Sequence, residues 1–245
     1  MGHGRTCLSV LAVSLLVSGT GLRSSEAIAA SPPEQFPPRL VALTTSHDLL
    51  ATDSNAIVRF LETTRPAAVS TEEKARILST LPLDGEVTDL SAPARRKIAV
   101  LTELLRATGY ESVYEIKVID VPQAAIGLHA RAVILVSEAA LTLLDADELQ
   151  ASLAHEIGHG YVWTERERAF QLGDHKRLKD LELVCDAIAI VTLHGLGLDV
   201  SRLMSGIEKT SRFNRERLGT ANNEKDYPTL AERRAFARAM AVAIR

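Results

Sequence analysis

The chain has few cysteines, few aromatic residues and little excess charge. Two of its 245 residues are cysteine, aromatic residues make up 4%, and the formal net charge is -3. A disulfide-rich scaffold is therefore excluded, and so small a net charge gives no indication of a nucleic-acid partner. The hydrophobic share of 46% and the charged share of 24% are typical of a globular protein with one sizeable core or two small ones.

Long hydrophobic runs are also scarce, and the first of them predicts an export signal. Leu8 to Val17 is apolar but too short to span a bilayer comfortably. It follows the positively charged Arg5 and precedes Ala27-Ile28-Ala29, which fits the small-x-small rule for signal cleavage. We therefore predict a signal peptide at residues 1–29 and a bacterial protein that is exported, periplasmic or secreted, with no membrane span in the mature chain. The alternative is an N-terminal anchor that stays uncleaved.

Cleavage of the signal would leave a chain with one cysteine and a proline-rich start. Cys7 would be lost, so Cys185 would have no internal disulfide partner, and a buried, inert thiol is its simplest interpretation. Four prolines near the start of the mature chain predict an extended linker over residues 30–45. We expect an N-terminal helical region over 46–110, which forms one compact unit with a core over 111–245.

Hydrophobic periodicity predicts an α+β fold that is mostly helical, with a small sheet before the central helix. Residues 113–119 alternate and contain β-branched side chains, whereas Ala132–Val136 is nearly all apolar, so both segments are predicted strands joined by a connection. Asp145 with Glu148 forms a capping pair that predicts the start of a helix. The charged segment 164–174 is predicted to be a loop or a frayed turn.

The helix that starts after Asp145 contains the motif His155-Glu156-Ile157-Gly158-His159. Residues four apart share a helix face, so His155 and His159 can direct two imidazoles to one point. Catalytic zinc accepts neutral imidazole nitrogen and keeps one position open for water. Glu156 lies about 100° further around the helix, where it can take a proton from that water during attack on a carbonyl. The motif predicts a zinc-dependent peptidase with one Zn²⁺ per chain; two satisfied histidines on a helix face are the alternative.

A catalytic zinc site needs a third ligand, and a second predicted helix offers two carboxylates. Glu182 and Asp186 are four residues apart in an apolar stretch and share a face. Glu182 can be the ligand, while Asp186 can accept a hydrogen bond from a ligand histidine. The alternative of surface carboxylates is weak, because a carboxylate among apolar neighbours needs a partner or a metal. Two further residues near the motif carry predictions. Gly158 would let a neighbouring segment approach the motif closely. Trp163 is predicted to lie in the core.

His155-Glu156-x-x-His159 together with Glu182-x-x-x-Asp186 resembles the gluzincin metallopeptidases, and within them metallopeptidase family forty-eight, the HtpX-like and periplasmic minigluzincin group. The acidic turn Leu144–Leu149 and the late element Tyr227-Pro228-Thr229 with Arg233 also resemble that family. The resemblance covers roughly residues 113–240. It implies a zincin-like domain, zinc and endopeptidase activity on peptides or unfolded proteins.

The resemblance also implies roles for single residues. By position, the zinc ligands are His155, His159 and Glu182, the general base is Glu156, and Asp186 supports a ligand. Tyr227 stands where the family usually has histidine, and it either donates a hydrogen bond to the oxyanion or only packs. Arg233 either pairs with a carboxylate near the site or is a solvated helix arginine.

The resemblance and the strand pattern together lead to a first function and to alternatives. We expect an exported zinc endopeptidase whose substrate adds as a strand beside Ala132–Val136. A different class of function is a latent or non-catalytic metal-binding or chaperone-like envelope module, in which residues 30–110 could cover the zinc site. A purely structural zinc ion with four protein ligands is a third reading.

Overall fold

The computed structural model describes residues 54–81, 85–219 and 225–244. The predicted signal peptide and linker lie outside these ranges. The described residues form eight helices and one three-stranded sheet. In chain order the elements are α1 (Ser54–Thr63), α2 (Thr71–Thr80), α3 (Ala92–Thr108), β1 (Glu115–Ile119), β2 (Ile126–His129), β3 (Val133–Ser137), α4 (Glu138–Leu143), α5 (Ala146–Leu172), α6 (His175–Gly195), α7 (Ser201–Leu218) and α8 (Leu230–Ala243).

The mostly helical α+β prediction is confirmed, and so is the capped start of the motif helix. Asp145 Oδ1 accepts a hydrogen bond from the Glu148 amide at 2.9 Å, and Glu148 Oε2 accepts one from the Asp145 amide at 3.0 Å. These bonds satisfy amides that the first helical turn leaves without partners. None of the helices in the described ranges has the length and apolar character needed to cross a bilayer.

The predicted loop over 164–174 is wrong, because α5 continues to Leu172 and ends only at Gly173. Gly173 has φ +65°, a left-handed conformation that suits a helix end. Two charged side chains of this segment face the next helix: Glu165 Oε1 lies 3.3 Å from Arg177 Nη2, and Arg166 Nε lies 3.8 Å from Glu182 Oε1. Glu167 and Arg168 are exposed. Pairing across two helices explains a charge density that, by sequence alone, indicated a solvated loop.

The sheet has the order β1-β3-β2, with β1 parallel and β2 antiparallel to β3. Both predicted strands are confirmed, but the predicted connection between them itself contains β2. β3 is therefore the middle strand, and all five of its residues are buried. The expected addition of substrate beside Ala132–Val136 is thus wrong, because both edges of that segment are already paired. The edge strands are β1, whose outer side forms an isolated bridge between Ile119 and Glu86, and β2, a strand of four residues that was too short to be recognised.

Close packing of α5 against α6 brings the two halves of the motif together. A Cβ atom added to Gly158 of α5 would lie 2.9 Å from the Cys185 Cα of α6. The predicted close approach at Gly158 is therefore confirmed. Because the helices touch at this point, the residues flanking Gly158 and Cys185 meet across the interface.

Candidate active site

A cleft opens where α5 and α6 meet β2, α7 and the start of α8. Its walls include the predicted site residues His155, Glu156, His159, Glu182, Tyr227 and Arg233. They also include Trp163, which the sequence placed in the core, and Arg166, which the sequence interpretation did not single out. Arg166 lies on the part of α5 that was predicted to be a loop, so it was not expected to share the face of His159. Trp163 lies just before that part, and its prediction as a core residue is corrected by its place in the cleft wall.

Two histidine nitrogens and one carboxylate converge at the floor of the cleft. Glu182 Oε2 lies 3.4 Å from His155 Nε2, and Glu182 Oε1 lies 3.6 Å from His159 Nε2. A tetrahedral ion with ligands at about 2.1 Å would separate its ligand atoms by about 3.4 Å. The observed separations therefore fit three ligands of one zinc ion.

A second carboxylate, that of Glu156, lies within 4.8 Å of the same histidine nitrogens. The shorter distances of Glu182 make it the better third ligand. Glu156 is instead held by the sheet, because its Oε2 accepts a hydrogen bond from the Leu128 amide at 2.9 Å. This hydrogen bond holds the Glu156 carboxylate on the β2 side of the two histidines.

Leu128 holds Glu156 from the free edge of β2. The Ser137 amide donates to the Ala125 carbonyl, so Ala125 faces β3. Backbone groups alternate along an antiparallel pair, so those of Ile126 and Leu128 point away from β3 and toward the cleft. Burial raises the pKa of Glu156 to about 7, although nearby His155 and the Leu128 amide both lower it. A carboxyl group with this pKa is suited to accept and return a proton near neutral pH.

His155 is oriented by a buried ion pair. Its Nδ1 lies 2.9 Å from Asp186 Oδ1, which leaves Nε2 directed toward Glu182. Arg233 of α8 binds both oxygens of Asp186, with Nε at 2.8 Å and Nη2 at 2.5 Å. Of the two readings of Arg233, the paired one is observed. This chain of contacts fixes the ring and its tautomer from behind, as carboxylates do for metal-binding histidines.

The charges around His155 attract a cation. Burial would lower the pKa of His155, but hydrogen bonds to Asp186 and Glu182 outweigh it and raise the pKa to about 9. Burial would likewise raise the pKa of Asp186, yet the Arg233 guanidinium keeps it below its usual value. The negative charge of Asp186 and Glu182, which stabilises a proton on this imidazole, also favours a metal cation at Nε2.

His159 has a different neighbour. Its Nδ1 lies 3.4 Å from the Sγ of Cys185, which is fully buried. Burial raises the pKa of the Cys185 thiol well above its ordinary value. The expected buried thiol is therefore observed, but it touches a candidate ligand rather than core atoms alone.

Arg166 and Tyr227 form the wall beyond His159. Arg166 Nη2 donates to the Tyr227 hydroxyl at 3.4 Å, and Arg166 Nε lies 3.8 Å from Glu182 Oε1. Burial raises the pKa of Tyr227 above its ordinary value, so the hydroxyl keeps its proton and can donate a hydrogen bond. A signal for Arg166 did exist in the sequence: it lies seven residues after His159, two helical turns along the same face.

Comparison with known protein families matches residues 93–197 to peptidase family M48. The matched segment contains the histidine motif, Glu182 and Asp186, whereas Tyr227 and Arg233 lie beyond it. No curated protein matches the chain. Together with a His/Glu/His cluster that can hold a metal ion, the match supports a hydrolase of the M48 metallopeptidase family.

Proposed function

We propose that the protein is an exported zinc endopeptidase in which His155, His159 and Glu182 hold the metal. The single observation that carries the proposal is the convergence of the two Nε2 atoms on the Glu182 carboxylate at 3.4 and 3.6 Å. Zinc held there would supply a Lewis acid that polarises the substrate carbonyl and lowers the pKa of water. The match to M48 supports peptide substrates and, by the usual metal of that family, zinc.

Glu156 moves the proton in this proposal. Its carboxylate takes a proton from water as the water oxygen forms a bond to the scissile carbonyl carbon. The same proton passes to the amide nitrogen as the carbon–nitrogen bond breaks, which yields a carboxylic acid and an amine. The remaining proton of the acid then passes to the amine, so the products are a carboxylate and an ammonium group. The Leu128 amide orients Glu156 at 2.9 Å.

The edge of β2 aligns the substrate. An extended peptide can add to a free strand edge through main-chain hydrogen bonds, with alternate side chains directed into the cleft. Ile126 and the carbonyl of Leu128 offer outward-facing backbone groups at this edge, whereas the Leu128 amide already donates to Glu156. Tyr227 can donate from its protonated hydroxyl to the oxyanion that forms on the carbonyl.

The latent alternative requires a segment that covers the cleft. No residue from the described part of 46–110 is among those that line it. The cleft walls come instead from β2 and the helices from α4 onward. The described residues 54–81 and 85–110 therefore give no support to a covered site.

The proposal is tested with purified protein, a peptide library and a chelator. We expect cleavage that the chelator abolishes and zinc restores. Glu156→Gln should keep the zinc and lose at least a hundredfold in kcat, because it cannot accept the proton. The exposed Glu167→Gln on the same helix is the matched control and should behave as the native protein. Chelator-resistant cleavage, or full activity of Glu156→Gln, would falsify the proposal.

A further inference from the structure

Arg166 is a partly buried cation that faces the cleft with most of its hydrogen-bonding capacity unused. Its side chain is 21% exposed and lines the cleft beside His159, Trp163 and Glu182. A guanidinium group has five N–H donors in a planar fork. Within the described ranges, Arg166 makes a single long hydrogen bond, to Tyr227, and its distance of 3.8 Å from Glu182 exceeds hydrogen-bonding range.

Arg233, in the same cleft, differs from Arg166 because its guanidinium group is paired with a carboxylate. It is only 8% exposed, and it binds both oxygens of Asp186 at 2.8 and 2.5 Å. This bidentate geometry satisfies the fork and neutralises its charge. Arg166 has no equivalent partner in the part of the chain that the structure describes.

The charges in the cleft leave Arg166 without a dedicated counter-ion. Asp186 is neutralised by Arg233. Glu182 is directed to the two histidine nitrogens at shorter distances than to Arg166. A carboxylate committed to a metal ion balances little of the charge of a neighbouring guanidinium.

We propose that Arg166 is a receptor for a substrate carboxylate, so that the cleft selects peptides with an anionic group near the scissile bond. This inference rests on the proposed function and names its substrate class. A carboxylate matches the planar fork of arginine in two parallel hydrogen bonds. The group is either a Glu or Asp side chain, or the terminal carboxylate of the peptide, and the two sources share one chemistry.

The sole tryptophan of the chain allows binding to be measured without turnover. Trp163 lines the cleft three residues before Arg166, so its fluorescence reports occupancy. The zinc-loaded Glu156→Gln protein is titrated with three peptides: N-acetyl-Ala-Ala-Glu-amide, N-acetyl-Ala-Ala-Gln-amide and N-acetyl-Ala-Ala-Ala with a free carboxylate. We expect one of the anionic peptides to bind about tenfold more tightly than the neutral one, as one charge-assisted pair would give.

Adding Arg166→Gln should abolish this preference while the zinc content stays unchanged. Arg166→Lys, which keeps the charge but not the fork, should retain part of it. Arg168→Gln removes an exposed charge from the same helix and is the matched control, with the preference intact. Preference for the Glu peptide assigns the site to an acidic side chain, and preference for the free carboxylate assigns it to the chain terminus.

Two results would overturn the proposal. One is equal binding of all three peptides by the protein that retains Arg166. The other is a carboxylate preference that persists in Arg166→Gln, which would place the anion on the metal itself. If Arg166→Gln does not fold, Arg166→Lys provides the test. An undiminished carboxylate preference in Arg166→Lys would show that the planar guanidinium group is not what binds the carboxylate. Since no bond is cleaved in these titrations, their outcome is separate from that of the peptidase test.

Discussion

At the scale of single residues, the Asp186 side chain of α6 links this helix to α5 and α8. Its two oxygens are shared between His155 of α5 and Arg233 of α8, and the carboxylate is fully buried. The cost of burying this charge is offset only while both partners remain in place. Asp186 therefore controls the orientation of a ligand without touching the substrate.

Asp186→Asn should weaken zinc affinity by about 10- to 100-fold, the usual effect of removing the partner of a metal-binding histidine. The amide cannot balance Arg233, and it can present its nitrogen to His155 in place of an acceptor. Zinc affinity is measured by competition with a chromogenic chelator. Asp180→Asn on the same helix, whose carboxylate pairs with Lys176, is the control. Equal affinities in the two variants would contradict the role of Asp186.

At the scale of elements, the contact between α5 and α6 determines whether a site exists. The helices approach so closely at Gly158 that no side chain fits between it and Cys185. The metal-binding atoms lie on residues next to this contact, so a small separation of the helices would move Glu182 away from both histidines.

Gly158→Ala should therefore destabilise the fold by about 1–3 kcal/mol, the range for overpacking in a well-packed core. It should also weaken zinc binding, because the added methyl group displaces α6. Gly195→Ala at the end of α6 meets nothing within 4 Å and should be neutral or slightly stabilising. Urea unfolding of both variants measures the difference. A Gly158→Ala protein as stable as the native one would show that the interface is looser than observed.

The start of α5 is tied to α7 by Glu148, which is fully buried. Its Oε1 lies 2.6 Å from Lys209 Nζ and accepts a hydrogen bond from Ser205 Oγ at 2.6 Å. Burial would raise the pKa of Glu148, but the contacts with Lys209 and Ser205 outweigh it and lower the pKa below its ordinary value of 4.5. A carboxyl group with a lowered pKa stabilises the fold above its unfolded pKa, and the stabilisation is lost as the pH falls through the folded pKa.

Glu148→Gln should consequently lower the free energy of unfolding by about 1–3 kcal/mol at pH 7, as expected for hydrogen bonds to a charged group. The difference from the native protein should shrink progressively as the pH falls below about 4.5, because the unfolded chain then binds a proton that the folded carboxyl binds only at lower pH. Denaturant unfolding at pH 7 and at pH 3.5 measures both values. Glu103→Gln removes an exposed ion pair and should show little change at either pH. A pH-independent loss in Glu148→Gln would argue for packing rather than charge.

At the scale of the whole molecule, several buried charges meet at one point. Glu156 and Glu182 line one cleft with two histidines and two arginines, and Asp186 lies behind His155 between that ring and Arg233. A cation bound there joins α5 to α6, so it binds the folded chain far more tightly than the unfolded one. Under the proposed function, zinc binding and folding would therefore be coupled.

Zinc should raise the melting temperature, with a stabilisation of about 2.7 kcal/mol when free zinc is 100 times its dissociation constant. Glu182→Gln should lose most of this shift, because it removes the carboxylate that contacts both histidine nitrogens. Glu232→Gln, at the capped start of α8, should keep the shift although its basal stability falls. Differential scanning calorimetry across a zinc titration provides the measurement. A shift of equal size in Glu182→Gln would exclude Glu182 as a ligand.

Features that local geometry specifies could be predicted from the residues alone. Residues four apart on a helix share a face, so the pairs His155–His159 and Glu182–Asp186 could be recognised without coordinates. The capping pair of Asp145 and Glu148 likewise acts within a single turn, and it is observed as predicted. Alternation and apolar runs identified β1 and β3 for the same reason.

Contacts between residues that are distant in the chain depend instead on how the elements pack. Arg233 reaches Asp186 across 47 residues, and Leu128 reaches Glu156 across 28. Periodicity carries no information about such pairs, because they depend on how helices and strands pack. For the same reason periodicity did not predict β2, whose four residues form a strand only through pairing with β3. Nor was Arg166 predicted; it faces the cleft because α5 continues through a charged segment that pairs with α6.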